Sequence, residues 1–131
     1  MRLRSYVLVK NNLVAVYGSL RKGLHNHGYL DDATFVGEGV VKGFGMHSLQ
    51  YYPALSREGR RTSVVVEVYE VNEKIMAGLD NLEGYPQYYT RKLCPINIMG
   101  ETLPSWVYYM DESLDDKPFV ESGDWKEFLG V

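Results

Sequence analysis

Thr62-Ser63-Val64-Val65-Val66-Glu67-Val68-Tyr69-Glu70-Val71 runs straight into Asn72-Glu73-Lys74-Ile75-Met76-Ala77-Gly78-Leu79-Asp80-Asn81-Leu82-Glu83-Gly84-Tyr85-Pro86, and this stretch decides the fold class of the 131-residue chain. Its first ten residues are mostly β-branched. Val64, Val66 and Val68 share one face and Val65, Glu67 and Tyr69 the other, which is the period of a strand. The period then changes. Asn72 suits a helix cap, Glu73 suits the positive end of the helix dipole, and Gly84 followed by Pro86 supplies a stop. Ile75, Leu79 and Leu82, at i, i+4 and i+7, form the expected buried stripe of a helix from Glu73 to about Leu82.

Upstream of this unit, Ser5–Lys10 and Leu13–Tyr17 read as two short strands, joined at Asn11-Asn12, a pair suited to a tight hairpin. Gly18 ends the second, and residues 19–32 read as a polar loop with one helical turn near Asn26–Leu30. From Thr34 to Gln50, Gly37, Gly39, Gly43 and Gly45 punctuate β-compatible residues, as bends or close approaches in a coiled strand would. Tyr52-Pro53-Ala54-Leu55 reads as a loop or edge segment, and Glu58-Gly59-Arg60-Arg61 as a turn. Downstream, Tyr88–Ile98 and Leu103–Met110 read as strands. Gly123-Asp124 opens a short Asp-capped helix with Trp125, Phe128 and Leu129 as its anchors. The expectation is one β-dominated α+β domain spanning residues 1–131. With 11 Tyr among 17 aromatics and 13 Gly, composition leans the same way, toward strands and tight turns.

Composition removes several classes. A lone cysteine, Cys94, makes no intramolecular disulfide and no structural zinc site. Apolar runs such as Val64-Val65-Val66 are far too short for a membrane span, and the N-terminus lacks the apolar core of a signal peptide. A reducing cytoplasm is the expected location. A net charge of −3 argues against a general nucleic-acid binder. The charge is divided: residues 1–30 hold five bases and no acid, whereas residues 111–131 hold seven acids and two lysines. Either the two ends neutralise each other in one fold, or a site attracts charged ligands.

Candidate chemistry is sparse. Gly18-Ser19-Leu20-Arg21-Lys22-Gly23 has the outer spacing of a P-loop, but Leu24-His25 stands where Lys and a hydroxyl residue are required, so nucleotide hydrolysis is excluded. Gly37-Glu38-Gly39-Val40-Val41-Lys42-Gly43 is one residue too long for a dinucleotide fingerprint and opens no helix. His25, His27 and His47 lack metal-ligand spacing and read as surface loop residues. Ser19 has no nucleophile elbow, and Cys94 reads as a small buried strand residue.

Two features are left. Tyr17-Gly18-Ser19-Leu20 is either an ordinary strand-ending turn or a nest of backbone N–H groups able to hold a carboxylate or an oxyanion. Glu83 is either a solvated residue at a frayed helix end or a carboxyl beside the apolar face, at i+4 from Leu79. In the second case, desolvation and the negative end of the helix dipole would both raise its proton affinity.

Val16-Tyr17-Gly18-Ser19-Leu20-Arg21-Lys22-Gly23 with Asn26 resembles the N-terminal signature of the γ-glutamylcyclotransferase superfamily, and most of all its γ-glutamylamine cyclotransferase and AIG2-like branch. The resemblance continues through Phe35-Val36-Gly37, Tyr52-Pro53-Ala54-Leu55, Leu79-Asp80-Asn81-Leu82-Glu83-Gly84-Tyr85-Pro86, Tyr88-Tyr89-Thr90-Arg91, Trp106-Val107-Tyr108-Tyr109 and Gly123-Asp124-Trp125. Each motif is moderately specific, but their order is telling. The first twelve residues precede it and read as an N-terminal extension.

The resemblance implies a small, mostly antiparallel β-barrel with a few short helices and a pocket at one end. It implies that Tyr17, Gly18, Ser19 and Leu20 bind the γ-glutamyl portion of a small-molecule substrate, that Glu83 is the catalytic acid/base, and that Tyr108 borders the pocket. No metal or organic cofactor is expected. Pro53 would shape a pocket loop, and Arg91 would either pair with a nearby acid or sit on the surface. The implied reaction closes 5-oxoproline and releases an amine. A non-catalytic module of the same fold, binding a small acidic ligand, is the rival reading, and a Tyr-rich protein-interaction domain is a third.

Overall fold

A computed structural model describes residues 12–131. The hairpin expected across Asn11-Asn12 and its strand Ser5–Lys10 lie outside the described residues. In chain order the elements are β1 (Asn12–Val16), a 3-10 turn (His27–Leu30), β2 (Thr34–Ser48), β3 (Pro53–Ser56), β4 (Thr62–Val71), α1 (Glu73–Glu83), β5 (Thr90–Ile98), β6 (Glu101–Tyr109) and α2 (Trp125–Leu129).

The strands order as β3-β2-β4-β1-β6-β5, and a further β2–β5 pairing closes five of them into a barrel with β3 beyond β2. All pairings are antiparallel except β1 with β6. The expected α+β barrel is therefore present, and its mixed character comes from that single parallel pair. Closure falls where Val40 meets Asn97. Here a side chain on the adjoining Gly39 would stand 2.5 Å from the Asn97 carbonyl oxygen, so only glycine admits the approach. Register shifts between Phe35 and Gly37 and between Val41 and Phe44 bend β2, as the glycine pattern suggested.

Alternation along the strands divides the buried side chains into two layers. Leu13 and Ala15 of β1, with Tyr17 just beyond it, join Val64, Val66, Val68, Ile96 and Leu103 inside the barrel. Val14 and Val16, on the other face, pack with Tyr69, Met76, Leu79, Tyr89 and Tyr108 under α1. That second layer holds the helix. Its buried residues are Met76 and Leu79, with the expected Ile75 and Leu82 only partly covered. Covering each of the first two contributes about 1.5–3 kcal/mol and fixes the rotation of α1. Glu83, at i+7 from Met76 and i+4 from Leu79, then lies along the inward side. Asn72 caps the helix by accepting from the Ile75 N–H at 2.8 Å, and Gly84, at φ +66°, ends it.

Of the two readings of Pro53–Leu55, the edge segment holds: it forms β3, the end strand beside β2, and is buried along its length. Two expectations are corrected. His47 is 1% exposed rather than on a surface loop, because β2 runs beneath Phe119, with which it pairs. In α2 only Trp125 anchors, at 1% exposure, while Phe128 and Leu129 are 48% and 46% exposed. A helix of five residues presents a single turn to the core, and the first residue fills that contact. No helix among the described residues is long and apolar enough to cross a membrane.

Candidate active site

Strand β1 ends at Val16, and the chain turns through Tyr17–Leu20 against Pro53 of β3. Gly18 is required by proximity: a Cβ there would meet Pro53 Cδ and Cγ at 3.0 Å. The turn is fastened from behind. Arg21 N–H donates to the Gly18 carbonyl, Asn26 N–H donates to the Ser19 carbonyl, and the Asn26 side-chain amide donates to Ser19 Oγ at 2.8 Å. Among the described residues, the turn and loop hydrogen bonds draw no donor from Gly18, Ser19 or Leu20. Successive N–H groups left this way can face an anion.

Below the turn lies an ionic cluster. Arg21, nearly buried, donates from Nε to Glu67 at 2.9 Å and from Nη1 to Asp124 at 2.8 Å. Glu67 also accepts from the Lys22 N–H and the Tyr69 hydroxyl, both at 2.9 Å. Burial opposes ionisation of Glu67, but these bonds from Lys22, Arg21 and Tyr69 outweigh it and hold the carboxyl below its ordinary range. The pairing of Arg21 with Asp124 joins the basic and acidic ends of the sequence across 103 residues.

Tyr17, Gly18, Ser19 and Leu20 share one open cavity of about 360 Å³ with Glu83 and Tyr108. All six residues singled out from the sequence are thus brought together. Tyr52, Pro53, Tyr88, Tyr89, His25 and Asn26 complete much of the wall. Burial alone pushes the Glu83 carboxyl up to about 7.

The phenols around that carboxyl are directed elsewhere. Tyr17 donates to the Tyr108 carbonyl at 2.8 Å, Tyr89 to the Pro53 carbonyl at 2.8 Å, and Tyr108 to Asp80 Oδ1 at 2.7 Å. Burial first, and then the negative groups nearby, raise the proton affinity of all three. Tyr52 and Tyr88 hydrogen-bond to each other at the mouth, and this contact with burial pushes Tyr88 up to about 12.

Arg91 pairs with an acid, the first of its two expected fates: Nε and Nη2 reach the two oxygens of Asp80 at 2.8 and 3.1 Å. Its guanidinium lies 4.4 Å from the Tyr85 ring centroid and 4.3 Å from that of Trp106. Asp80 and Tyr89 were not singled out by the sequence reading. Tyr89 follows Pro86 within the quoted motifs, but nothing in its spacing distinguishes it from a core tyrosine. Cys94 is buried, as expected of a strand residue. Among the described residues, no group of three or more His, Cys, Asp or Glu is arranged to hold a metal ion.

A closed mixed barrel with a half-buried carboxyl and a backbone-lined turn on one cavity defines a class of small pocket-bearing barrels rather than a binding surface. Its family follows from the sequence. The family model described as "Gamma-glutamyl cyclotransferase, AIG2-like" matches residues 14–127, and the chain belongs to that family. It is 40% identical over 119 residues to a protein of Methanocaldococcus jannaschii named "Putative gamma-glutamylcyclotransferase", covering 89% of this chain and 98% of that one. It is 32% identical over 120 residues to the "Gamma-L-glutamyl-butirosin B gamma-glutamyl cyclotransferase" of Niallia circulans, covering 86% and 74%. Among solved structures, an AIG2-like protein from Mus musculus superposes with a TM-score of 0.73 at 26% identity, covering 85% of this chain and 86% of that one.

Proposed function

We propose that the protein cyclises a small γ-glutamyl amide, a γ-glutamylamine, to 5-oxoproline with release of the amine, and that Glu83 is the acid/base. The observation that carries this reading is the Glu83 carboxyl, held near neutral proton affinity on the cavity it shares with the Tyr17–Leu20 turn. Membership of a family that acts on γ-glutamyl compounds supports the substrate class.

The substrate brings its own nucleophile. Its α-amino nitrogen attacks the γ-carbonyl carbon, a five-membered ring closes, and the bond from that carbon to the amide nitrogen breaks. Oriented intramolecular attack of this kind reaches effective molarities of about 10⁵ M or more, so no serine or cysteine need act. The work left to the protein is folding the substrate and moving protons. Glu83 as carboxylate takes the proton lost by the attacking amine and returns it to the departing nitrogen. A carboxyl near pH 7 serves both directions, a role worth about 10²–10⁴-fold. The N–H groups of Gly18, Ser19 and Leu20 bind the glutamyl carboxylate or the tetrahedral oxyanion, and Tyr108 closes the wall beside them.

The test is to incubate the protein with γ-glutamyl-ε-lysine, γ-glutamyl-α-amino acids and glutathione and to assay 5-oxoproline. Turnover of at least one, lost in Glu83→Gln, is expected. Retention of activity by Glu83→Gln overturns the mechanism. Binding of a γ-glutamyl compound without turnover of any replaces the enzyme with a binding module.

A further inference from the structure

Seven ionisable side chains besides Glu83 border its cavity: Tyr17, Tyr51, Tyr52, Tyr88, Tyr89, Tyr108 and His25. Six are phenols, each a ready donor to a carboxylate, and the three buried ones, Tyr17, Tyr89 and Tyr108, give their protons to other partners. Tyr17 and Tyr89 give their protons to main-chain carbonyls, while at the exposed mouth Tyr52 and Tyr88 share one hydrogen bond and Tyr51 accepts from Gln50 Nε2. Of the three buried phenols only Tyr108 is held by a side chain, Asp80, whose carboxylate lies one helical turn before Glu83 on α1. Asp80 is in turn fixed by both arms of the Arg91 fork, and Arg91 is gripped between the Tyr85 and Trp106 rings. Such planar, two-bond pairing sets direction as well as distance.

We propose that Asp80, clamped by Arg91, is a positioning residue that holds the Tyr108 hydroxyl away from Glu83 and so leaves the Glu83 carboxyl without this buried phenolic donor. A hydrogen bond from Tyr108 would stabilise the carboxylate and weaken its grip on the proton that the proposed reaction must return to the leaving nitrogen. The inference rests on the acid/base role of Glu83 for its purpose, but not for its measurement.

Glu83 is followed by carbon NMR on protein carrying carboxyl-labelled glutamate, with its resonance assigned by its loss in Glu83→Gln. The wild type is expected to titrate near 7. Asp80→Ala releases the Tyr108 hydroxyl and lowers that midpoint by about one pH unit, and Asp80→Ala with Tyr108→Phe restores it. Asp80→Asn keeps an oxygen that accepts from Tyr108 and leaves the midpoint where it is. A shift in Asp80→Asn as large as in Asp80→Ala assigns the effect to the uncompensated Arg91 charge and overturns the proposal. So does an unmoved Asp80→Ala, or a double variant that fails to revert. Should Asp80→Ala not fold, Tyr108→Phe alone decides: its Glu83 midpoint stays at the wild-type value, and a rise means that the hydroxyl already reaches Glu83, which refutes the assignment. Turnover of γ-glutamyl amides by the wild type, measured in parallel, reads the function separately.

Discussion

Replacing Glu83 by Gln removes a group that the fold keeps at a cost, and the cost depends on pH. In the native state burial lets the carboxyl keep its proton to about pH 7, whereas its ordinary value is 4.5. Between those values the native protein binds more protons than the unfolded chain, so stability falls as pH rises through that window and is level above it. At about 1.4 kcal/mol for each pH unit the full effect is about 3 kcal/mol. Glu83 is only half-buried, and water reaching the cavity reduces this to about 2 kcal/mol. Gln has nearly the same shape and no charge to desolvate. Glu83→Gln should match the wild type at pH 4.5 and exceed it at pH 8.5 by about 2 kcal/mol, or roughly 8 °C in Tm for a chain of this size. Urea and thermal unfolding of both proteins at the two pH values give the comparison, and the difference of differences cancels every other titrating group. An advantage of Glu83→Gln that is equal at both pH values, or absent at pH 8.5, would falsify the claim that this carboxyl is desolvated.

Further outcomes follow from the same geometry. The log of kcat/KM for a γ-glutamyl amide should rise with pH through a midpoint near 7 and flatten, since Glu83 must enter as carboxylate; a flat profile from pH 5.5 to 8.5 counts against it. Glu83→Gln should lower kcat about 10²–10⁴-fold in steady-state assays. Arg21→Ala leaves Glu67 buried with one partner fewer and should cost about 3–5 kcal/mol in urea unfolding; a loss under 1 kcal/mol would show that the cluster relaxes into water. Gly18→Val places branches against Pro53, where even a Cβ is crowded, and should raise KM more than it lowers Tm.

Sequence patterns carried the local elements further than their partners. β4 and α1 were legible because alternation, a capping Asn and a stopping Gly each act within a few residues. The closure of β2 on β5 and the parallel β1–β6 pair depend on contacts far apart in the chain, which no local period records. Pro53-Ala54-Leu55 reads as loop or edge because Pro punctuates, and its burial in β3 is set by β2, β6 and the Tyr89 hydroxyl meeting it in space. His47 shows the same limit: a histidine among glycines gives no sign that Phe119 will cover it. Glu83 was singled out by the motif it sits in, while its spacing from Met76 and Leu79 alone left a solvated helix end as the alternative. The hold on Tyr108 was not legible, because Asp80 and Arg91 become a pair only when β5 returns alongside the helix end.

Asp124 has two duties, capping α2 by accepting from the Lys126 and Glu127 N–H groups and receiving the Arg21 guanidinium. During synthesis the Tyr17–Leu20 turn leaves the ribosome early, and Arg21 must wait for more than a hundred further residues before this partner exists. The Tyr17–Leu20 turn acquires its full backing late, after the barrel strands have been made. A nascent chain therefore carries the sequence of the pocket long before it carries the pocket, and the Arg21–Asp124 pair reports on completed chains rather than on growing ones.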